Sequence, residues 1–311
     1  MLKIHNLTKE YGKLTALDGL DLEIKKGELF GFVGPNGAGK TTTMKIVAGL
    51  LTADRGEVCV GGVDALNDNK GLKSKIGYMP DFFGVYDNLK VIEYMEFYAS
   101  IYGIEGKQAK KHCNELLELV QLDDKVNHYV DGLSRGMKQR LCLARSLVHD
   151  PELLILDEPA SGLDPRARFE MKTILKNLID MDKTILISSH ILPELAQMCT
   201  SIGIIEKGKM VLKGTVDNIM ANLNASNALV MRFQSNQENG IKVLKDNKRV
   251  SNISILGNKI SIAFNGTAVE EVALLASLVH NDVGVSSFTR EEGNLESLFM
   301  EITNQQGGEA F

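Results

Sequence analysis

Glu28-Leu29-Phe30-Gly31-Phe32-Val33 runs straight into Gly34-Pro35-Asn36-Gly37-Ala38-Gly39-Lys40-Thr41-Thr42. The first six residues make a nearly continuous apolar run, the pattern of a buried strand. From Lys40 onward Met44, Val47, Ala48 and Leu51 recur at helical spacing. Strand, glycine loop and helix in that order predict the start of a parallel α/β sheet. Gly34–Thr41 fits the spacing Gly-x-x-x-x-Gly-Lys-Thr. Its glycines let successive backbone N–H groups curl around phosphate oxygens, and the helix opening at Lys40 aims its positive end at them. Lys40 is then expected to reach the β- and γ-phosphates of a nucleotide, with the Thr41 hydroxyl on Mg²⁺. A chance glycine-rich turn would need neither the strand before it nor the helix after it.

Outward from this loop, Leu20, Leu22 and Ile24 alternate with polar residues as in a half-buried strand. Further buried strands are predicted at Lys75–Met79, Leu153–Leu156, Thr184–Ser188 and Ile202–Ile205, with Lys209–Leu212 as a hairpin partner after Lys207-Gly208. Between residues 82 and 130 the periodicity turns helical. One stripe carries Leu89, Ile92, Met95 and Ala99, and another Ala109, Cys113, Leu116, Leu117 and Val120. Seven aromatic residues cluster here: Phe82, Phe83, Tyr86, Tyr94, Phe97, Tyr98 and Tyr102. A polar stretch at 222–227 then separates a C-terminal segment. That segment reads as strand 228–233, helix 237–246, strands 251–256 and 259–265, helix 268–281, strand 284–289 and helix 293–303. The β-α-β-β-α-β order suggests a small ferredoxin-like unit.

The bulk numbers narrow the class. The 311 residues suffice for one large domain and a smaller one. A formal net charge of −5 argues against a nucleic-acid partner, which usually needs a strong basic face. Cys59, Cys113, Cys142 and Cys199 show no Cys-x-x-Cys spacing and read as small apolar residues in a reducing compartment. Met1–Leu7 lacks the apolar core of a secretory signal, and no apolar run approaches the roughly 20 residues of a membrane helix. A membrane role would therefore require a separate polypeptide.

A second chemical stretch runs from Leu133-Ser134-Arg135-Gly136-Met137 to Leu153-Leu154-Ile155-Leu156-Asp157-Glu158-Pro159. Ser134 reads as a helix N-cap, with Met137, Leu141, Ala144 and Leu147 following at helical spacing. Gly136 costs that helix about 1 kcal/mol relative to alanine, and a closely approaching phosphate would explain its presence. Asp157 ends an apolar strand, where a carboxylate is costly unless it faces a cation. Mg²⁺, directly or through water, is the expected partner. Glu158 stands next in line to accept a proton from an attacking water. Ser161-Gly162-Leu163-Asp164 follows, and Ser188-Ser189-His190 closes another apolar strand. Ligands of α/β sheets sit at the carboxyl ends of strands, so His190 is either structural or placed to meet the γ-phosphate or the water.

Taken in order, these motifs resemble the ATP-binding subunits of ABC transporters over roughly residues 2–220. The resemblance implies a P-loop NTPase domain over 1–220, with antiparallel β and helical subdomains, the helical one at about 82–150. A small α+β accessory domain is expected over 221–311. Two copies, or one copy and a homologous ATPase, would pack head to tail. Each ATP would lie between one chain's Gly34–Thr42 and the Ser134–Gly136 turn of the other. Tyr11 matches the position whose ring stacks on adenine, or else is an ordinary strand-end tyrosine. Catalysis is expected from Glu158, His190 and Lys40, with Thr41 and Asp157 on Mg²⁺.

Two departures stand out. Arg135 and Met137 replace a glycine and the glutamine of the usual Leu-Ser-Gly-Gly-Gln. Asp81 stands where the family has a glutamine that links the ATP site to the membrane partner; it is either a further Mg²⁺ contact or a turn residue. The segment from Arg290 to Met300 resembles the end of drug-resistance and sodium-efflux ATPases that pair with a separate ABC-2-type permease. The expected function is ATP hydrolysis powering an exporter from the cytoplasmic face of the membrane. The alternative is a soluble ATPase of the same type acting on a protein or nucleic-acid assembly.

Overall fold

The computed structural model describes residues 1–81, 84, 88–220 and 228–290. Phe82, Phe83, Tyr86, the polar stretch at 222–227 and the helix expected over 293–303 lie outside these residues. The chain divides into two compact units, Met1–Val216 and Asp217–Phe311.

In the first unit, β3 (Leu29–Val33) is buried along its whole length. It is an interior strand of a six-stranded sheet in the order β10-β9-β3-β8-β7-β6. The others are β6 (Ile76–Met79), β7 (Leu153–Leu156), β8 (Thr184–Ser189), β9 (Ser201–Glu206) and β10 (Lys209–Thr215). Pairing is parallel from β9 through β6, and only β10 runs antiparallel, as the hairpin partner of β9. Helix α1 (Lys40–Val47) leaves the glycine loop and ends earlier than its apolar spacing suggests, because Gly49 turns the chain with φ +68°.

A second, antiparallel sheet has the order β2-β1-β4-β5, built from β1 (Leu2–Tyr11), β2 (Leu14–Ile24), β4 (Arg55–Val60) and β5 (Val63–Asp64). The alternation at Leu20–Ile24 belongs to β2. Strand β1 hides from a period-two search. Its buried residues are Leu2, Ile4, Leu7 and Lys9, and the register with β2 shifts between Ile4 and Leu7, where Asn6 takes φ +48°. Such a bulge moves later side chains onto the opposite face. Both sheets and α1 close on one core that includes Leu2, Leu20, Phe30, Phe32, Met44 and Ile155.

Helices α2 (Asn69–Lys75), α3 (Val91–Ile101), α4 (Gly106–Leu119) and α5 (Arg135–Leu147) lie between β5 and β7 in the chain. Of the aromatic cluster, Tyr94 is fully buried and takes a hydrogen bond from Arg145 Nη1 at 3.1 Å, while Phe97 and Tyr102 remain exposed. Tyr102 stacks on His149 with ring centroids 4.2 Å apart. His149 Nε2 donates to the Ile76 carbonyl at 2.8 Å, and its Nδ1 is buried without a partner.

Burial holds the His149 imidazole below the ordinary histidine value; the Ile76 carbonyl and Asp150 raise it in part and Lys183 lowers it. The unfolded chain therefore binds a proton that the folded chain refuses. Stability from this site is complete above about pH 6.5 and is lost as pH falls through the folded value. His149→Gln keeps a donor for Ile76 and removes the titration. Thermal unfolding of the parent is expected to lose ground to this variant below pH 6.5. Parallel melting curves from pH 7.5 to 5 would sink the idea.

No helix among the described residues is long and apolar enough to cross a membrane. Cys113, Cys142 and Cys199 are buried, and all four cysteines are unbridged.

The second unit holds β11 (Leu229–Ser235), α8 (Gln237–Asp246), β12 (Val250–Leu256), β13 (Lys259–Phe264), α9 (Ala268–His280) and β14 (Gly284–Arg290). Its sheet runs β12-β13-β11-β14 with every pair antiparallel. Leu229, Met231, Phe233, Ile260, Ile262, Leu244, Leu274 and Leu278 form its core, joining one sheet face to both helices.

Candidate active site

The glycine loop is held from below by the ends of neighbouring strands. A Cβ on Gly34 would stand 2.4 Å from the Ile205 carbonyl oxygen, so only glycine lets the chain pass. Gly39 takes φ +110° and a Cβ there would meet the Ala16 carbonyl at 2.7 Å. No side chain caps α1, which leaves the N–H groups of its first turn for a ligand.

Lys40 folds back over the loop and is only 6% exposed. Its Nζ donates to the Gly34 carbonyl at 2.6 Å and the Pro35 carbonyl at 3.3 Å, and lies 3.7 Å from Glu158 Oε1. Burial pushes its ammonium below the usual lysine value, and the carboxylates of Glu158 and Asp157 pull it back in part.

Asp157 follows β7 and is 1% exposed. Its N–H donates to the Met79 carbonyl, and its Oδ1 accepts from Ser188 Oγ at 2.6 Å. Glu158 sits in the left-handed region at φ +52°, with its N–H donating to Ser188 Oγ at 2.9 Å. Its Oε2 is 2.9 Å from His190 Nδ1. A carboxylate only accepts, so Nδ1 carries the hydrogen. Lys40, Glu158 and His190, far apart in sequence, thus meet at one point. Ser188 was not anticipated there. The signal was a hydroxyl at the end of the apolar run Ile185–Ile187, since a buried hydroxyl requires a partner.

These residues open on a cleft of about 400 Å³. Pro35, Asn36, Gly37, Gly39, Lys40, Thr41 and Thr42 form its floor; Glu158, Ser161 and His190 form one wall. Tyr11, Leu14 and Ala16 line the mouth, and Asp81 stands at the end of β6. Tyr11 is 48% exposed, with Lys9 Nζ 5.5 Å from its ring centroid. Gly34, Ala38 and Asp157 lie beneath this surface rather than on it. The partly buried Tyr78 phenol is pushed up chiefly by desolvation and then by the charges of Asp157 and Asp81.

Ser134 and Gly136 do not line the cleft. Ser134 caps α5 by accepting from the Met137 N–H at 3.3 Å. Gly136 needs no phosphate to explain it. A Cβ there would come within 2.9 Å of Ala167 Cβ on α6 (Pro165–Asp180), so close helix contact already excludes a side chain. The Arg135 guanidinium lies over Gly162, where a Cβ would be 2.7 Å from Arg135 Cζ.

Residues 17–161 match the family model described as ABC transporter. The chain is 33% identical over 307 residues to the linearmycin resistance ATP-binding protein LnrL of Bacillus subtilis (strain 168), covering 98% of this chain and 99% of that one. It is 34% identical over 304 residues to the bacitracin transport ATP-binding protein BcrA of Bacillus licheniformis, covering 97% of each. Among solved structures it is similar to the dimeric post-hydrolysis state of the ATP-binding cassette MJ0796 bound to ADP and Pi. That match has 26% identity and a TM-score of 0.63, over 70% of this chain and 99% of the cassette. Because the likeness to LnrL and BcrA extends through both units and not the cassette alone, the chain belongs to the ATP-binding, ATP-hydrolysing subunits of the ABC transporter family.

Proposed function

We propose that this chain powers an exporter. Two copies, or one copy and a homologous ATPase, close head to tail on ATP, and hydrolysis reopens them while a separate integral membrane permease moves substrate outward. The observation that carries this reading is the Glu158 carboxylate, set between Lys40 and His190 at the wall of the cleft. Full-length likeness to a linearmycin resistance and a bacitracin transport protein supports export. The dimeric state of the similar cassette supports pairing. Resemblance over Arg290–Met300 favours an ABC-2-type permease, which would hold the chain at the cytoplasmic face.

In this reading residues 1–220 form the ATP-binding domain, with the helical subdomain at about 82–150. Residues 221–311 form an accessory domain, and the β12-β13-β11-β14 order supports a ferredoxin-like unit. Tyr11 stacks on adenine, while Gly34–Thr42 wraps the phosphates of the ATP held by the same chain. Ser134 and Gly136 face the ATP of the other copy. Lys40 exchanges the carbonyls of Gly34 and Pro35 for phosphate oxygens. Glu158 takes the proton of the attacking water on its carboxylate, and His190 fixes that carboxylate through Nδ1–H. Thr41, Asp157 and Asp81 supply only oxygen donors, the set that suits Mg²⁺. When bound, Mg²⁺ would offset phosphate charge.

The test is co-purification of the tagged chain from detergent-solubilised membranes of its own cells. An integral membrane protein is expected at stoichiometric yield; recovery of none favours a soluble ATPase. In the assembled complex, Asp81→Ala is expected to lower ATPase and transport by about 10-fold, with Asp81→Gln losing less. Unchanged rates in the alanine variant would make Asp81 a turn residue.

A further inference from the structure

Ser188, next to last in β8, has no surface exposed to solvent. Parallel pairing of Leu156 on β7 with Ile187 on β8 sets the next residues, Asp157 and Ser188, side by side beyond it. A serine hydroxyl has one proton, and this one is donated to Asp157 Oδ1 at 2.6 Å. The same oxygen accepts the Glu158 N–H at 2.9 Å. One atom therefore joins the side chain of Asp157 to the main chain of Glu158. That main chain needs holding, because φ +52° is a region that residues other than glycine rarely occupy. From this backbone Glu158 reaches Lys40 with one carboxylate oxygen and His190 with the other.

We infer that Ser188 is a positioning residue for ATP hydrolysis: it orients the Asp157 carboxylate and pins the Glu158 peptide in its left-handed conformation. The inference rests on the roles proposed for Asp157 and Glu158. Without the hydroxyl, Asp157 loses a buried donor and the Glu158 N–H loses its acceptor. Both carboxylates are then free to reorient, so one small change weakens the metal side and the water side of the site together.

The experiment compares Ser188→Ala and Ser188→Cys, which lack a good donor, with Ser188→Thr, which keeps the hydroxyl. Steady-state ATPase gives kcat and KM, paramagnetic resonance of Mn²⁺ in the presence of ATP gives metal affinity, and ATP binding in EDTA gives the metal-free Kd. Alanine and cysteine are expected to lower kcat and Mn²⁺ affinity by about 10–100-fold, with the metal-free Kd unchanged and threonine restoring most of the loss. In a Glu158→Gln background, Ser188→Ala should lower turnover by a smaller factor than in the parent, because the water side is already lost and only the metal side remains to be weakened. Parent-level kcat and Mn²⁺ affinity in either the alanine or the cysteine variant would overturn the inference. So would full additivity with Glu158→Gln. Loss of folding in both, with threonine folded, would make Ser188 a structural residue and equally overturn it. If Glu158→Gln alone turned over ATP at the parent rate, the fault would lie in the role given to Glu158.

Discussion

Glu158→Gln is expected to cut ATP turnover by about 10²–10⁴-fold while leaving ATP bound. Glutamine keeps the shape of the side chain, and its amide oxygen still accepts from His190 Nδ1–H, so the wall of the cleft is preserved. What disappears is the ability to take a proton from water at neutral pH. Removing this charge also relieves repulsion between Glu158 and the terminal phosphate, since both would approach Lys40. ATP should therefore be held more tightly and the closed pair should accumulate. Light scattering coupled to size exclusion, with and without ATP, reads the pairing; phosphate release reads the turnover. A variant hydrolysing at the parent rate would remove Glu158 as the base.

Lys40→Met is the complementary case, with binding lost along with turnover. The buried ammonium rests on two neutral carbonyls. Phosphate oxygens are charged acceptors and make bonds roughly twice as strong as neutral ones. The partly desolvated charge thus gains when a nucleotide arrives. Methionine keeps a similar stem and provides no donor. Turnover is expected to fall by about 10²–10³-fold, with a clear rise in Kd for a fluorescent ATP analogue. ATP affinity equal to the parent would mean that the backbone loop alone holds the phosphates. The two variants separate holding from hydrolysis: one should bind and stall, the other should fail to bind.

Much of this site was legible because its chemistry is local. Glu28–Thr42 carries strand, loop and helix within one short window, and Asp157-Glu158 ends an apolar run whose burial demands a reason for charge. The unread parts depend on segments distant in the chain. Ser188 acquires meaning only when β7 and β8 align side by side, which their sequences do not specify. The reason for Gly136 lies on α6, at Ala167, so a phosphate seemed the nearer explanation. His149 likewise looks like an ordinary helix-end histidine until Tyr102 and the Ile76 carbonyl enclose it.

The bulge at Asn6 also sets where Tyr11 points. Leu2 and Ile4 face inward before it, Leu7 and Lys9 after it, and Tyr11 continues the second series, beneath Lys9 and at the mouth of the cleft. Had β1 run on without the slip, Tyr11 would share the outward face of Lys3 and His5. Deleting Asn6 would remove the extra residue together with the slip and leave the ring on its present side, whereas deleting Thr8, beyond the bulge, would turn the ring away from the cleft without altering any residue that lines it. The side on which Tyr11 stands, and with it the adenine contact proposed above, is in this sense encoded by a reading-frame of side chains, and chains of this type that gain or lose one residue between Leu7 and Tyr11 should lose it even where the tyrosine is retained.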